Sequence, residues 1–228
     1  MSGKHNEHDE NKEHGKHNEH GKHNEHSKDS KHGKDNNIDV HYDYTAKAAK
    51  ERLIAGNKRY VNGESVMIKK DADILKNAVI NGQHPYAIIV ACSDSRVIPE
   101  AIFDAGIGDL FVIRVAGNVI DKHQLGSIEY AEQHLGTGLV LVLGHSHCGA
   151  VDAALRHDAD GYVKYVLKDI KKAIGKTKDE YKACCLNVRH SCEIIESSIN
   201  IQRDEKEHGL CVLGAIYNTE TGEVEFLD

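Results

Sequence analysis

The sequence predicts an α/β domain with a central, mostly parallel β-sheet flanked by helices. Short apolar runs rich in β-branched residues recur at residues 86–91, 110–115 and 139–143. Their length and composition are typical of buried strands. A helical pattern over residues 126–135 separates the last two runs. Alternation of strand, helix and strand at this spacing indicates parallel β-α-β units with right-handed crossovers.

The remaining elements follow from local patterns along the chain. Thr45 is a good N-cap for a helix over residues 45–60, which Asn62 and Gly63 end. Three further helices are predicted, at residues 72–80, 162–174 and 180–201. The chain closes with a predicted hairpin, whose strands are residues 210–216 and 223–227.

Residues 1–37 are predicted to form a disordered, His-rich tail, and residues 38–228 the folded domain. Between Ser2 and Asn37 there is no Val, Ile, Leu, Phe, Tyr or Cys, so this segment cannot bury enough apolar surface to offset its ordering entropy. The hexapeptide Gly-Lys-His-Asn-Glu-His occurs three times in it, with histidines three residues apart. We expect the tail to bind extra transition-metal ions loosely. The alternative is a solvated tail that binds metal only as any His-rich peptide does.

Composition disfavours several classes of partner. The net charge of −7 argues against nucleic acid and against a membrane surface, since both select concentrated positive charge. No stretch approaches the ~20 apolar residues of a membrane span. No signal-peptide core follows Met1, so we expect a cytoplasmic protein, or a secreted or cell-surface one if a leader has been removed.

Four of the six cysteines are expected to be buried free thiols, namely Cys184, Cys185, Cys192 and Cys211.

Two short motifs carry the chemistry. The run Ala-Cys-Ser-Asp-Ser-Arg-Val at residues 91–97 follows the first strand, and Gly-His-Ser-His-Cys-Gly at residues 144–149 follows the third. The carboxyl ends of parallel strands form one edge of a sheet, so Cys92, His145 and Cys148 should converge there. Two thiols and one imidazole suit Zn²⁺, and three protein ligands leave a fourth position open, as in a catalytic rather than a structural zinc site.

Other polar residues near the motifs have more than one interpretation. Asp94 and Arg96 could form an ordinary surface ion pair, but beside a metal they more plausibly form an orienting dyad. Asp94 is also the best local candidate for a fourth zinc ligand. His147 is expected to be a polar residue at a helix start. The scattered histidines are expected on the surface, at His123, His134, His157, His190 and His208.

Both motifs resemble those of the β-class carbonic anhydrases, and so do residues 108–114, 116–118 and 127–131. The resemblance runs from about Thr45 to the C-terminus. It implies a zinc enzyme that interconverts carbon dioxide and bicarbonate through a zinc-bound hydroxide. It also implies that Asp94 orients the hydroxide, that Arg96 keeps Asp94 ionised and off the metal, and that Asp94 can bind the zinc in a closed, inactive state.

The resemblance further implies the substrate contacts. Gln83 corresponds to the donor to bound bicarbonate, Phe111 and Tyr130 correspond to apolar walls that pass between subunits, and Gly149 belongs to the same pocket. A homodimer or higher homo-oligomer is therefore implied. Ile89 stands where some members carry the Trp of an inhibitory bicarbonate site, so inhibition of that kind is not expected.

Two rival functions remain open at this point. Relatives of this fold hydrolyse carbon disulfide or carbonyl sulfide with the same zinc ligands. The chain could instead handle metal, with the His-rich tail as its working part, although a zinc reservoir needs neither the Asp94–Arg96 dyad nor Gln83.

Overall fold

The computed structural model describes residues 45–66, 72–156 and 159–227, and these form a five-stranded sheet with helices on both faces. The His-rich tail and His157 lie outside the described residues, so the predictions made for them stay predictions. No helix within the described part of the chain is long and apolar enough to cross a bilayer.

The sheet has the order β2-β1-β3-β4-β5. Its strands are β1 (Ala87–Ala91), β2 (Leu110–Arg114), β3 (Leu139–His145), β4 (Cys211–Tyr217) and β5 (Val224–Phe226). The first four strands pair in parallel, and β5 pairs antiparallel with β4. The predicted fold class and the terminal hairpin are confirmed.

Eight helices are present among the described residues. They are α1 (Ala46–Val61), α2 (Ala72–Asn81), α3 (Pro99–Ile102), α4 (Lys122–Leu135), α5 (Gly149–Arg156), α6 (Val163–Ile174), α7 (Glu180–Glu196) and α8 (Ile199–Glu207). A single 3₁₀ turn, Ala116–Asn118, follows β2. Neither this turn nor α3 was predicted, because each is too short to leave a periodic pattern.

Alternation along β1 divides the core into two layers. Ile88 and Val90 face the layer that contains α4 to α8. Ile89, with Ala87 and Ala91 on the same side of the strand, faces α1 and α3. All five residues of β1 are fully buried. A strand covered on both faces must be apolar throughout, which explains the uninterrupted Ala-Ile-Ile-Val-Ala run.

Two predicted helix boundaries were wrong. The helix predicted over residues 180–201 is interrupted at Ser197 and Ser198, and the side chains of Ser198 and Asn200 donate to the Glu129 carboxylate of α4 at 2.6 and 3.2 Å. Helix α4 begins at Lys122 rather than at residue 126. Its N-cap, Asp121, accepts from the backbone of His123 at 2.8 Å and forms a capping box with Gln124.

The scattered histidines also differ in exposure. His123 is almost fully exposed, as expected, but His190 keeps only 18% of its side chain exposed and lies 3.4 Å from Glu193. His190 therefore lies at the surface but is only partly exposed.

Helix α1 approaches α3 so closely that only glycine fits at the contact. A Cβ added to Gly56 would lie 1.8 Å from the carbonyl oxygen of Phe103, which is a backbone atom and cannot rotate away. The next residue, Asn57, donates to the carbonyls of Ile102 and Gly222 and accepts from Val224 N–H. This contact therefore fixes α1 against both α3 and the terminal hairpin.

We expect Gly56→Ala to lower the free energy of unfolding by about 3 kcal/mol, because the added methyl group forces the two backbones apart. Gly126→Ala in α4 is the matched control, since a Cβ there meets nothing within 4 Å and alanine favours helix. Chemical denaturation of both variants checks the expectation. Equal stabilities of the two variants would contradict it.

Candidate metal centre

The parallel pairing of β1 with β3 brings the two motifs to one edge of the sheet. Ala91 pairs with Leu143, so Cys92 leaves β1 level with Gly144, the neighbour of His145 at the end of β3. Cys148 lies three residues further on, immediately before α5. One ligand atom from each of these three side chains lies within 4.8 Å of the other two. All three residues are buried.

The imidazole of His145 is oriented as a metal ligand. Its Nδ1 lies 2.9 Å from the carbonyl oxygen of Ser146, which can only accept, so Nδ1 carries the proton. Nε2 then carries a lone pair and can only accept. It is buried and has no hydrogen-bond partner among the described residues. A buried acceptor left unsatisfied beside two thiols is the arrangement that a cation completes.

The two thiols share one environment and cannot both ionise easily. A hydrogen bond from Cys148, together with donation from Gly117 N–H at 3.3 Å, lowers the pKa of Cys92. The neighbouring Cys92 sulfur and burial raise the pKa of Cys148. Both would be thiolates only beside a divalent cation, so this donor set fits Zn²⁺.

A network of buried polar side chains supports Cys92 from behind. Asn187 of α7 donates to the carbonyl of Gly117 at 2.7 Å, and Ser191 donates to the carbonyl of Asn118 at 2.9 Å. These bonds hold the turn whose N–H contacts the Cys92 sulfur. Sequence reasoning missed both residues, although two polar residues four apart on the buried face of a helix were a usable signal.

Asp94 and Arg96 form a bidentate ion pair at the mouth of the centre. Arg96 Nε and Nη2 donate to the two carboxylate oxygens of Asp94 at 3.0 and 2.8 Å. These bonds hold the pKa of Asp94 well below its usual range. Arg96 also donates to the carbonyl of His147 at 3.0 Å, and Arg114 donates to the carbonyls of Cys92 and Asp94 at 3.2 and 2.7 Å. Arg96 therefore ties the loop after β1 to the loop after β3, and Arg114 ties the same loop to the end of β2.

His147 adopts a left-handed backbone conformation, with φ of 55°, between the ligands His145 and Cys148. Its ring nitrogens lie 3.3 Å from Glu180 and 3.4 Å from Glu220. The imidazole therefore points toward α7 and the terminal hairpin, and it is not one of the three converging ligands.

The four expected substrate contacts lie in different places. Gly149 adjoins Cys148 at the start of α5. Gln83 precedes the amino end of β1, whereas Cys92 follows its carboxyl end. The strand between these two ends is roughly 13 Å long. Phe111 pairs with Ile88 near that amino end and packs against Tyr130, with ring centroids 6.4 Å apart. One chain thus brings Gly149, but not the other three residues, to its own metal centre.

Comparison with known proteins agrees with this geometry. The family model for carbonic anhydrases matches residues 87–224, a range that includes both motifs. Carbonic anhydrase 2 of Mycobacterium tuberculosis is 36% identical over 192 residues, covering 79% of this chain and 92% of that protein. The carbonic anhydrase of Mycolicibacterium smegmatis is 34% identical over 190 residues, covering 78% and 91%. The chain belongs to the β-class carbonic anhydrase family.

Solved β-carbonic anhydrases share the fold. The β-carbonic anhydrase CafA of Aspergillus fumigatus superposes with a TM-score of 0.64 at 27% identity, covering 78% of this chain and 90% of that one. A tetrameric β-carbonic anhydrase of Sordaria macrospora gives a TM-score of 0.61 at 23% identity, covering 79% and 94%. As a member of this family the chain is an enzyme, a carbonate dehydratase, and these relatives give no support to a carbon disulfide or carbonyl sulfide hydrolase.

We expect Cys148→Ser to lose bound zinc and carbonic anhydrase activity together, because a hydroxyl is a far weaker zinc ligand than a thiolate. Cys184→Ser is the matched control. It also alters a buried thiol, but one outside the converging set. Zinc content by elemental analysis of the two purified full-length variants checks the assignment. Retention of one tightly held zinc per chain by Cys148→Ser would contradict it.

Proposed function

We propose that this chain hydrates carbon dioxide reversibly to bicarbonate, with Zn²⁺ held by Cys92, His145 and Cys148. The observation that carries the proposal is the buried, unpartnered Nε2 of His145 beside two thiols, with a fixed carboxylate at the mouth of the centre. A structural zinc site would be closed by a fourth ligand, and the described residues bring only three together. When bound, Zn²⁺ lowers the pKa of a water molecule and so supplies a nucleophile near neutral pH.

Asp94 positions the attacking water. Its carboxylate stays ionised because of Arg96, so it can accept a hydrogen bond from that water and direct a lone pair toward the carbon of the substrate. Only 18% of the Asp94 side chain is exposed, so solvent competes weakly for this hydrogen bond.

Arg96 holds Asp94 in that pose. The guanidinium occupies both carboxylate oxygens, and the backbone N–H of Arg96 adds a third donor to Oδ1 at 3.0 Å. Its remaining bond, to the carbonyl of His147, anchors it to the loop that carries two ligands. Asp94 is therefore oriented relative to the centre rather than free to rotate about its side-chain torsions.

A second copy of the chain completes the substrate pocket. Gln83 and Tyr130 are exposed in the single chain, and Phe111 is partly exposed, although all three correspond to pocket residues by resemblance. Because they lie toward the amino end of β1, they reach a metal centre only across a subunit interface. We therefore infer a homodimer, alone or within a larger homo-oligomer.

We expect Asp94→Asn to lower the turnover number at least about 100-fold while zinc content stays near one per chain. The amide keeps the shape of the carboxylate but removes its charge and one acceptor. Asp152→Asn is the control, because Asp152 also pairs with an arginine, Arg156, but on the following helix. Stopped-flow hydration of carbon dioxide by the zinc-loaded proteins gives the rates. A turnover number unchanged in Asp94→Asn would refute the assigned role.

We expect the hydration rate to rise from neutral to alkaline pH and to fall in mild acid, because the attacking water must lose a proton. Asp94 is not the group responsible. Its pKa is depressed, so it is ionised throughout this range and protonates only in stronger acid. In Asp94→Asn the rate should therefore be lower at every pH, with the midpoint of the acid limb within about half a pH unit of wild type. Disappearance of that limb in the variant would show that Asp94 titrates there.

A further inference from the structure

A second cluster of ligand-type side chains lies at the opposite edge of the sheet. Glu132 near the end of α4, Asp204 in α8 and His208 at the C-cap of α8 each place one ligand atom within 4.8 Å of the other two. Leu210 N–H bonds the Asp204 carbonyl at 3.3 Å, just before β4 begins beside Leu139. The cluster is thus separated from the Cys92 centre by about the length of β3, roughly 20 Å.

The carboxylates in this cluster are buried and incompletely compensated. Glu132 is 8% exposed and Asp204 is 1% exposed. Arg203 donates to both oxygens of Asp204, at 2.9 and 3.3 Å, whereas Oε2 of Glu132 has no hydrogen-bond partner among the described residues. Burial and the adjacent Asp204 carboxylate raise the pKa of Glu132 to about 7, although Arg203 and His208 oppose the shift, so the charges in the cluster compensate this carboxylate only in part.

The distances from His208 to the two carboxylates match coordination rather than hydrogen bonding. His208 Nδ1 lies 3.8 Å from Glu132 Oε1 and 3.6 Å from Asp204 Oδ1, both too long for a hydrogen bond. Ligands at 2.0–2.2 Å from a tetrahedral ion lie roughly 3.3–3.6 Å from one another. A contraction of a few tenths of an ångström would therefore bring all three atoms onto one ion.

We propose that Glu132, Asp204 and His208 form a second site for a divalent transition-metal ion, for which Zn²⁺ is the probe. One imidazole and two carboxylates are ligands that Zn²⁺ accepts, and the imidazole disfavours Mg²⁺ and Ca²⁺. The side chain of His208 is 64% exposed and gives the ion a path from solvent. Arg203 orients Asp204 from outside; its bond to Oδ1 uses one lone pair of that oxygen and leaves the other for the ion.

Such an ion would join α8 to α4. The two helices already meet where Ser198 and Asn200 bind Glu129, at the other end of α8. Coordination through His208 would hold the C-terminal end of α8 as well, just before the chain enters β4. The expected consequence is added stability of the fold, without a direct effect at the catalytic edge.

The test uses the full-length protein with its catalytic zinc in place. Adding excess Zn²⁺ is expected to raise the thermal midpoint by roughly 5 °C at a free concentration about 100 times the dissociation constant. The increment should vanish in His208→Ala and in Glu132→Gln, and Mg²⁺ at the same concentration should give none. His123→Ala, which removes an exposed histidine from the start of α4, is the control and should keep the wild-type increment. The histidines before Asn37 are present in every variant, so zinc bound by them is common to all.

Equilibrium dialysis gives the second measurement, in which wild type should bind one more zinc per chain than His208→Ala. The site is refuted if wild type shows no increment, or if His208→Ala keeps it. A different result would show that the two carboxyl groups share a proton and not a metal. In that case zinc has no effect on wild type, and the thermal midpoint of Glu132→Gln without zinc is higher than that of wild type without zinc. Loss of the increment in His123→Ala as well would assign it to nonspecific surface binding and would equally overturn the proposal.

Discussion

The register between β1 and β3 is the constraint on which the rest of the structure depends. Ala91 lies beside Leu143, so Cys92 comes level with Gly144, and both Cys92 and His145 reach the same edge of the sheet. A slip of one residue would turn His145 to the opposite face of the sheet. On its other side β3 pairs with β4 over seven residues, from Leu139 to His145, so a slip would also break that ladder.

Glycine at position 144 makes this register compatible with the layer above it. A Cβ there would lie 2.4 Å from Val188 Cγ2 of α7. Because glycine has no Cβ, α7 can pack directly on the end of β3 and present Asn187 and Ser191 to the 3₁₀ turn that contacts Cys92. The packing of α7 on Gly144 therefore supports the metal centre from the position next to the ligand His145. Glycine at position 144 and histidine at position 145 thus have linked roles, one in packing and one in metal binding.

Local sequence patterns predict much of the fold and of the site, but not the contacts between residues distant in sequence that hold them in place. Strands buried on both faces are uniformly apolar, so β1 and β3 were visible directly, and their carboxyl ends located the three ligands. The break between α7 and α8 was not visible, because serine is tolerated inside helices and the interruption depends on Glu129, about 70 residues earlier in the chain. The spacing of Asn187 and Ser191 could have marked them as buried polar residues, but the partner of Asn187, Gly117, is also distant in sequence and could not be inferred locally. The proposal that Gln83 and Tyr130 serve the centre of a second subunit began from the family resemblance, because the sequence of one chain does not show which exposed side chains meet a copy of it.

The two clusters at opposite ends of β3 differ in donor chemistry, and this difference determines which of them would bind scarce zinc first. The catalytic edge offers two sulfurs and one nitrogen, whereas the cluster of Glu132, Asp204 and His208 offers two oxygens and one nitrogen. Thiolates bind Zn²⁺ more strongly than carboxylates, so scarce zinc would occupy the Cys92 centre first. Two unit charges roughly 20 Å apart interact by less than about 1 kcal/mol at an effective dielectric constant of about 20, the value that suits protein sites. An ion at the second cluster would therefore change the electrostatics at Asp94 very little. Any coupling between the two centres would have to pass through the strands that join them.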